Sequence, residues 1–204
     1  MHEKFPWTKI EPLFHGFRHL TERDVIYYHI EYIGEGYQAS SDNSWVSNYK
    51  RGIEYRNKSA WYYKEEAVRK FASLIIETPP VDDGLVLLAG PTSKRWDSPL
   101  FDSRNEDVLR SVHHATGIPI SFNLEAMMDS EPVHFQPGYR SPEKLIGHYH
   151  FTPFENVPGV VYIVDDVITS GSHFVVWRDL IHEVHPGLEV RGLYLARTVR
   201  GGFY

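Results

Sequence analysis

Hydrophobic and polar positions follow a regular pattern from about residue 85 onward, where short apolar runs are separated by segments of helical periodicity. The apolar runs are typical of strands buried on both faces and span 85–89, 118–122, 160–164 and 189–196. The segments between them predict helices at 103–117 and 172–184. Strands that alternate with helices predict an α/β fold, with a parallel sheet flanked by helices.

The first part of the chain has a different pattern. Residues 25–33 alternate between apolar and polar, which predicts a strand, and the polar residues 34–47 predict a loop. A helix is predicted over 61–77, where apolar residues share one face and oppositely charged side chains lie four positions apart. We therefore expect a small β-rich N-terminal appendage, a hood, over residues 1–60 and an α/β core over residues 61–204.

Composition narrows the classes of protein that remain. The chain has 204 residues, a formal net charge of −6 and no cysteine, so disulfides, thiolate catalysis and Cys-ligated metal sites are excluded. No apolar run approaches the roughly 20 residues of a membrane span, and the N-terminus lacks a signal-peptide pattern. We expect a cytoplasmic protein without a membrane segment. Because the chain is acidic, an anionic ligand must be held by local positive charge or by a metal.

The segment 160–174, VVYIVDDVITSGSHF, is the most informative stretch for chemistry. Asp165 and Asp166 follow an apolar strand, and ligands of open α/β sheets bind beyond the carboxyl ends of strands. We therefore expect both acids to face solvent, where they would accept hydrogen bonds from ligand hydroxyls. The loop that follows can surround a phosphate with backbone N–H groups, hydroxyls and a helix N-terminus; it comprises Thr169, Ser170, Gly171 and Ser172. Together these features indicate a ribose 5-phosphate ligand, and the alternative is a doubly wound domain whose acids only cap a helix.

This motif resembles that of the type I phosphoribosyltransferases, which have an apolar run, two acids and a loop rich in Thr, Ser and Gly. The resemblance extends upstream to Thr92, Ser93, Lys94 and Arg95, which look like the pyrophosphate-binding loop of that family. Residues 102–105, just before a helix, are similar to the ComF-like branch. Two features depart from that branch: its Cys-rich N-terminal fingers are absent, and Glu125, Met127 and Asp129 replace its usual basic residues.

The resemblance implies an enzyme that transfers ribose 5-phosphate between pyrophosphate and a nitrogenous base, with phosphoribosyl pyrophosphate (PRPP) as a substrate and Mg²⁺ as the cofactor. Asp165 and Asp166 would be catalytic and would bind the metal. Arg140, on the long irregular segment 126–145, would be a third catalytic residue. Residues 169–172 would bind the 5-phosphate and residues 92–95 the pyrophosphate. Aromatic residues of the N-terminal region would stack on the base, with Tyr37, Trp45, Tyr49 and Tyr55 as candidates.

Two other functions stay open. The departures in the 126–145 segment and the unusual N-terminus favour a PRPP- or nucleotide-sensing module that acts with a protein or nucleic-acid partner, whereas the intact acids and loops favour the enzyme. The third alternative is an effector that cleaves a nucleotide or NAD with water as the acceptor. A homodimer is an alternative to a monomer. The fold alone distinguishes none of these.

Overall fold

The computed structural model describes residues 6–13, 15–33, 40–130 and 141–199. Its centre is a mostly parallel sheet with helices on both faces, which confirms the expected α/β class. The strands are β1 (Thr8–Lys9), β2 (Val25–Ile33), β3 (Leu85–Ala89), β4 (Ile120–Ser121), β5 (Leu124–Ala126), β6 (Tyr149–Phe151), β7 (Val160–Ile168) and β8 (Glu189–Val199). The α-helices are α1 (Ser41–Tyr49), α2 (Trp61–Glu77), α3 (Arg104–Thr116) and α4 (Ser172–Val184).

The main sheet has the order β1-β2-β8-β7-β3-β4, and each pairing in it is parallel except that of β1 with β2. β5 and β6 form a separate antiparallel pair that flanks the predicted long loop. Alternate residues of β7 lie in two different apolar clusters: Val164 packs with residues of α1, α2 and α3, and Ile163 packs with residues of α4. Both faces of the central strands are therefore buried, which explains their continuous apolar runs.

The N-terminal region differs from the predicted β-rich appendage. β2 pairs in parallel with β8 from Val25↔Arg191 to Ile33↔Val199, so it belongs to the main sheet. The prediction of a loop over 34–47 is wrong from Ser41 onward, where α1 begins. Ser40 caps this helix, because its side chain accepts a hydrogen bond from the backbone N–H of Asn43. α1 buries Trp45 in the same apolar cluster as α2. This region is therefore part of one fold with the C-terminal region.

Most predicted elements of the C-terminal region are confirmed, with changes at their ends. α2 and α4 have the predicted bounds, and α3 ends at the predicted Gly117, whose φ of 75° terminates the helix. The predicted strand 118–122 is reduced to two residues, whereas β7 continues four residues past the predicted 164 because β8 pairs with it as far as Ile168. Among the described residues, no helix is both long and apolar enough to cross a membrane.

Candidate functional site

A cleft of about 240 Å³ lies at the carboxyl edge of the parallel strands. The residues that follow β3, the last residues of β7 and the loop before α4 all line it. Ligands of open α/β sheets bind at this edge, because the loops that leave neighbouring strands meet there. The cleft thus brings together Asp165, Asp166, Thr92, Ser93 and the whole 169–172 loop.

The two acids of the motif are buried, contrary to the prediction that they face solvent. Asp165 is 8% exposed and Asp166 is 6% exposed. They lie inside β7 rather than beyond it, since Asp165 pairs with Tyr194 of β8 and the ladder continues to Ile168. Burial of a carboxylate requires partners, and the two acids have different ones.

Asp166 is held by two cations. One guanidinium nitrogen of Arg104 lies 2.6 Å from its carboxylate, and the Lys50 ammonium lies 3.6 Å away. Burial alone would raise the pKa of Asp166, but the charges of Lys50 and Arg104 hold it below its usual range. The other terminal nitrogen of Arg104 donates to Asp102 at 2.6 Å, and Asp102 also accepts from Lys64 at 2.7 Å. A buried chain of alternating charges therefore fixes Arg104 against Asp166.

Asp165 has an uncharged partner. The amide nitrogen of Asn105 donates to its carboxyl oxygen at 2.9 Å and to the Gly90 carbonyl at 2.7 Å, while the Asn105 oxygen accepts from the Tyr49 hydroxyl at 2.8 Å. Burial, and after it the charge of Asp166, raise the pKa of Asp165. Gly90 permits this close approach, because a Cβ there would lie 2.9 Å from that of Asp165. The surroundings of the two adjacent acids thus shift their pKa values in opposite directions.

The predicted phosphate loop turns tightly between β7 and α4. Gly171 has a φ of 83°, which places the N-terminus of α4 directly after it. The hydroxyls of Ser170 and Ser172 are 2.8 Å apart, and that of Thr169 is 3.1 Å from the Thr198 hydroxyl on β8. The Thr169 hydroxyl therefore contacts the sheet. The hydroxyls of Ser170 and Ser172 and the N-terminus of α4 line the cleft beside it.

The four residues of the predicted pyrophosphate loop separate in the structure. Thr92 and Ser93 line the cleft, and Lys94 lines a second cavity of about 70 Å³. Arg95 lines neither: its guanidinium pairs with Asp97 at 2.6 Å, and its backbone N–H donates to Asp129 at 2.9 Å. Asp129, which departs from the family pattern, thus holds this loop in place. Arg140, with the centre of its segment, lies outside the described residues.

Aromatic side chains form another part of the cleft wall. His173 stacks on Trp177 with ring centroids 5.5 Å apart, and Tyr149 meets His173 edge-on at 5.9 Å. Burial lowers the pKa of His173 to about 4, so its ring is neutral at physiological pH. The cleft therefore has an uncharged aromatic wall in addition to the paired charges of Asp166, Arg104 and Lys50.

Two of the aromatic residues predicted to stack on a base, Trp45 and Tyr49, lie in the core of the fold. Trp45 is buried and its indole N–H donates to the Ala67 carbonyl at 3.0 Å. Tyr49 is fully buried against Phe71. The Tyr55 ring lies beneath the Lys58 ammonium at 4.5 Å, and Tyr37 lies outside the described residues. Trp45 and Tyr49 instead stabilise the core, because α1 packs inside the fold.

Several side chains of the cleft were missed by sequence reasoning. Arg104 and Asn105, which contact the two acids, belong to the segment that resembles the ComF-like branch, but the resemblance did not predict these contacts. His173 directly follows the recognised motif, and Tyr149 lies between two histidines. Lys50 had no signal in the sequence, since its place beside Asp166 depends on how α1 packs against the sheet.

A magnesium site has partial support in these side chains. Asp165 and Asp166 are the acids that line the cleft, and in the described part of the chain no three His, Asp or Glu side chains form a metal-binding group. Mg²⁺ often binds through one or two carboxylates together with substrate phosphates and water. Both acids would have to be carboxylates for that mode, which the low pKa of Asp166 favours and the raised pKa of Asp165 disfavours; the substrate would then supply further oxygen ligands.

The sequence matches no protein-family model, and no curated protein is significantly similar to it. The function of the cleft therefore has to be argued from its own side chains.

Proposed function

We propose that this protein is a phosphoribosyltransferase that binds PRPP in the cleft and transfers ribose 5-phosphate between pyrophosphate and a nitrogenous base. The observation that carries the proposal is the meeting of the paired acids, the 169–172 loop and Thr92–Ser93 at one edge of the sheet. This combination suits a ligand with a phosphate at one end, hydroxyls in the middle and a second anionic group. The type I phosphoribosyltransferase fold is part of the same proposal.

Each part of the cleft has a role in this reaction. A ring nitrogen of the base donates its electron pair to C1 of the ribose, the bond from C1 to the pyrophosphate oxygen breaks, and pyrophosphate leaves with that electron pair. The nitrogen then loses its proton to solvent. While the bond to pyrophosphate breaks, positive charge develops on the ribose ring, and the carboxylate of Asp166 would stabilise this charge. Ser170, Ser172 and the N-terminus of α4 bind the 5-phosphate.

The acceptor base binds against the aromatic wall of the cleft. Tyr149 and His173 are partly exposed and offer ring faces and edges to a flat heterocycle. Because His173 is neutral, this wall favours an uncharged base over an anion. Mg²⁺, held by Asp165 and Asp166, would supply positive charge to the pyrophosphate.

A binding-only function is the second candidate. It is favoured by the ion pairs of Asp166, whose charge is already compensated by Arg104 and Lys50 before any ligand binds. A carboxylate in this state stabilises a cationic ribose less than a free one does. Such a protein would sense PRPP or a nucleotide and pass the signal to a protein or nucleic-acid partner.

Titration of the full chain with PRPP, with and without Mg²⁺, tests the proposal. We expect Mg²⁺-dependent binding by calorimetry, followed by pyrophosphate release when a panel of free bases is added. Replacing both loop serines, Ser170→Ala with Ser172→Ala, should weaken PRPP binding about tenfold, since two hydrogen bonds to phosphate are lost. Ser111→Ala is the matched control, because Ser111 lies on the exposed side of α3 and bonds the Asp107 carbonyl.

The outcomes separate the candidates. Binding with release supports the enzyme, and binding without release for any base supports the sensor instead. If PRPP does not bind under either condition, the enzyme and the PRPP sensor are both wrong. If the serine variant and the Ser111→Ala control bind PRPP equally well, the 5-phosphate does not lie in the 169–172 loop.

A further inference from the structure

Two basic side chains line the cleft among the residues described, Lys50 and Arg104, and they differ in how many hydrogen bonds and ion pairs they make. Arg104 donates from both terminal nitrogens, at 2.6 Å to Asp102 and 2.6 Å to Asp166, and its side chain is 12% exposed. Lys50 makes one longer contact, 3.6 Å to Asp166, and its side chain is 32% exposed. A salt bridge of that length on a partly exposed lysine contributes little to stability.

Lys50 is nevertheless held at a defined place. It caps the C-terminus of α1, where its backbone N–H donates to the Val46 carbonyl at 3.0 Å and that of Arg51 donates to the Asn48 carbonyl at 3.1 Å. The preceding residue, Tyr49, is fully buried and bonds Asn105 beside the acids. The backbone of Lys50 is therefore fixed at the rim of the cleft, while its four-carbon side chain allows the ammonium to move between partners.

Asp166 does not need Lys50 as its main partner. Arg104 contacts the carboxylate at 2.6 Å and is itself buried, so the acid keeps a close counter-charge when Lys50 leaves. The lysine ammonium has three donors, and a single contact at 3.6 Å leaves most of them available to a ligand. A phosphoryl group offers several charged acceptors and so forms stronger hydrogen bonds than a neutral group.

We propose that Lys50, supplied by the N-terminal region, binds a phosphoryl group of the ligand and moves away from Asp166 as it does so. The proposal rests on the proposed function, because it takes the ligand to be a phosphorylated sugar. It also links two events at the site. When Lys50 binds the phosphoryl group, Asp166 loses one of its two cations and becomes more available to the hydroxyls of the ribose.

A charge-removing substitution with a matched control tests this role. Lys50→Met keeps the length and apolar stem of the side chain, and we expect it to weaken PRPP binding about 10- to 100-fold through loss of a charge-assisted hydrogen bond. Lys50→Arg keeps the charge and should bind within about threefold of the wild type, since both cations bind phosphate. Lys58→Met removes an exposed lysine that does not line the cleft, and it should leave binding unchanged.

Two smaller probes identify the end of the ligand that Lys50 contacts. Pyrophosphate and ribose 5-phosphate are each titrated against the wild type and Lys50→Met. Loss of affinity for one of them assigns Lys50 to that phosphate, and loss for neither overturns the proposal. As a measurement that does not depend on a variant, PRPP should protect Lys50 of the wild-type protein from acetylation, read by mass spectrometry of the digested chain.

Failure of this proposal differs from failure of the proposed function. If the wild-type protein does not bind PRPP, the proposed function is wrong and the role of Lys50 fails with it. If the wild type binds PRPP but Lys50→Met binds equally well, or if PRPP leaves the acetylation of Lys50 unchanged, only the role of Lys50 is wrong.

Discussion

Asp165 and Asp166 are adjacent in sequence but have different partners. Both contact the first turn of α3: Asp166 meets the Arg104 guanidinium, and Asp165 accepts a hydrogen bond from the uncharged Asn105 amide. The sequence places two acids near the end of a strand, but the opposite shifts of their pKa values depend on which side chains reach each acid in the folded chain.

This difference predicts unequal effects of removing the two charges. Asp166→Asn leaves the buried Arg104 guanidinium with one carboxylate instead of two, so we expect the free energy of unfolding to fall by about 3 kcal/mol. Asp165→Asn keeps an oxygen that accepts from Asn105 and removes a charge that burial disfavours. We expect its stability to equal or exceed that of the wild type at pH 8.

Urea unfolding of both variants at pH 8 measures these effects. The wild-type protein is the reference, and an unchanged denaturant dependence would show that each variant still unfolds from the same compact state. Equal losses for the two variants would mean that the surroundings of the two acids do not differ in how they stabilise a negative charge. A larger loss for Asp165→Asn would mean that Asp165, and not Asp166, is the acid whose charge the fold stabilises.

At the scale of elements, the sequence predicts the central strands and helices well, because each has a clear period and clear ends. α2 and α4 begin and end at the predicted residues, and the cleft brings the acids and the 169–172 loop together. The pairing of β2 with β8 and the burial of α1 were not predictable from local patterns, because both depend on contacts between distant residues. The packing of α1 also places Lys50 in the cleft.

The turn between β7 and α4 depends on Gly171 in two ways. Its φ of 83° is unfavourable for residues with a Cβ, and a Cβ there would lie 2.6 Å from the buried Leu20 side chain. We expect Gly171→Ala to lower the free energy of unfolding by about 2–3 kcal/mol, as the sum of backbone strain and overpacking. It should also weaken PRPP binding, because the turn positions the phosphate loop.

Gly187 offers a matched control for the strain alone. Its φ is 84°, but a Cβ there would have no atom within 4 Å. Gly187→Ala should therefore cost about 1 kcal/mol and leave PRPP binding unchanged. If thermal unfolding shows the same loss for both variants, the contact with Leu20 does not constrain the turn.

At the scale of the whole molecule, the net charge of −6 does not keep basic side chains out of the cleft. Lys50 and Arg104 both line it, and both contact the carboxylate of Asp166. The local positive charge expected from the sequence thus comes in part from two cations of the chain itself. One of them comes from residues 1–60 and the other from residues 61–204.

This shared construction predicts that residues 61–204 do not fold alone. Deleting residues 1–60 would expose the edge of β8 and would take Trp45, Val46 and Tyr49 out of the core. Truncating one buried aromatic side chain costs about 3–5 kcal/mol, and a domain has a total stability of about 5–15 kcal/mol. The fragment should therefore lack near-ultraviolet circular dichroism and a cooperative urea transition, both of which the full chain should show. If the fragment unfolds cooperatively from a state with native-like near-ultraviolet signal, the first 60 residues are a separable appendage, and the cleft must then bind its ligand without Lys50.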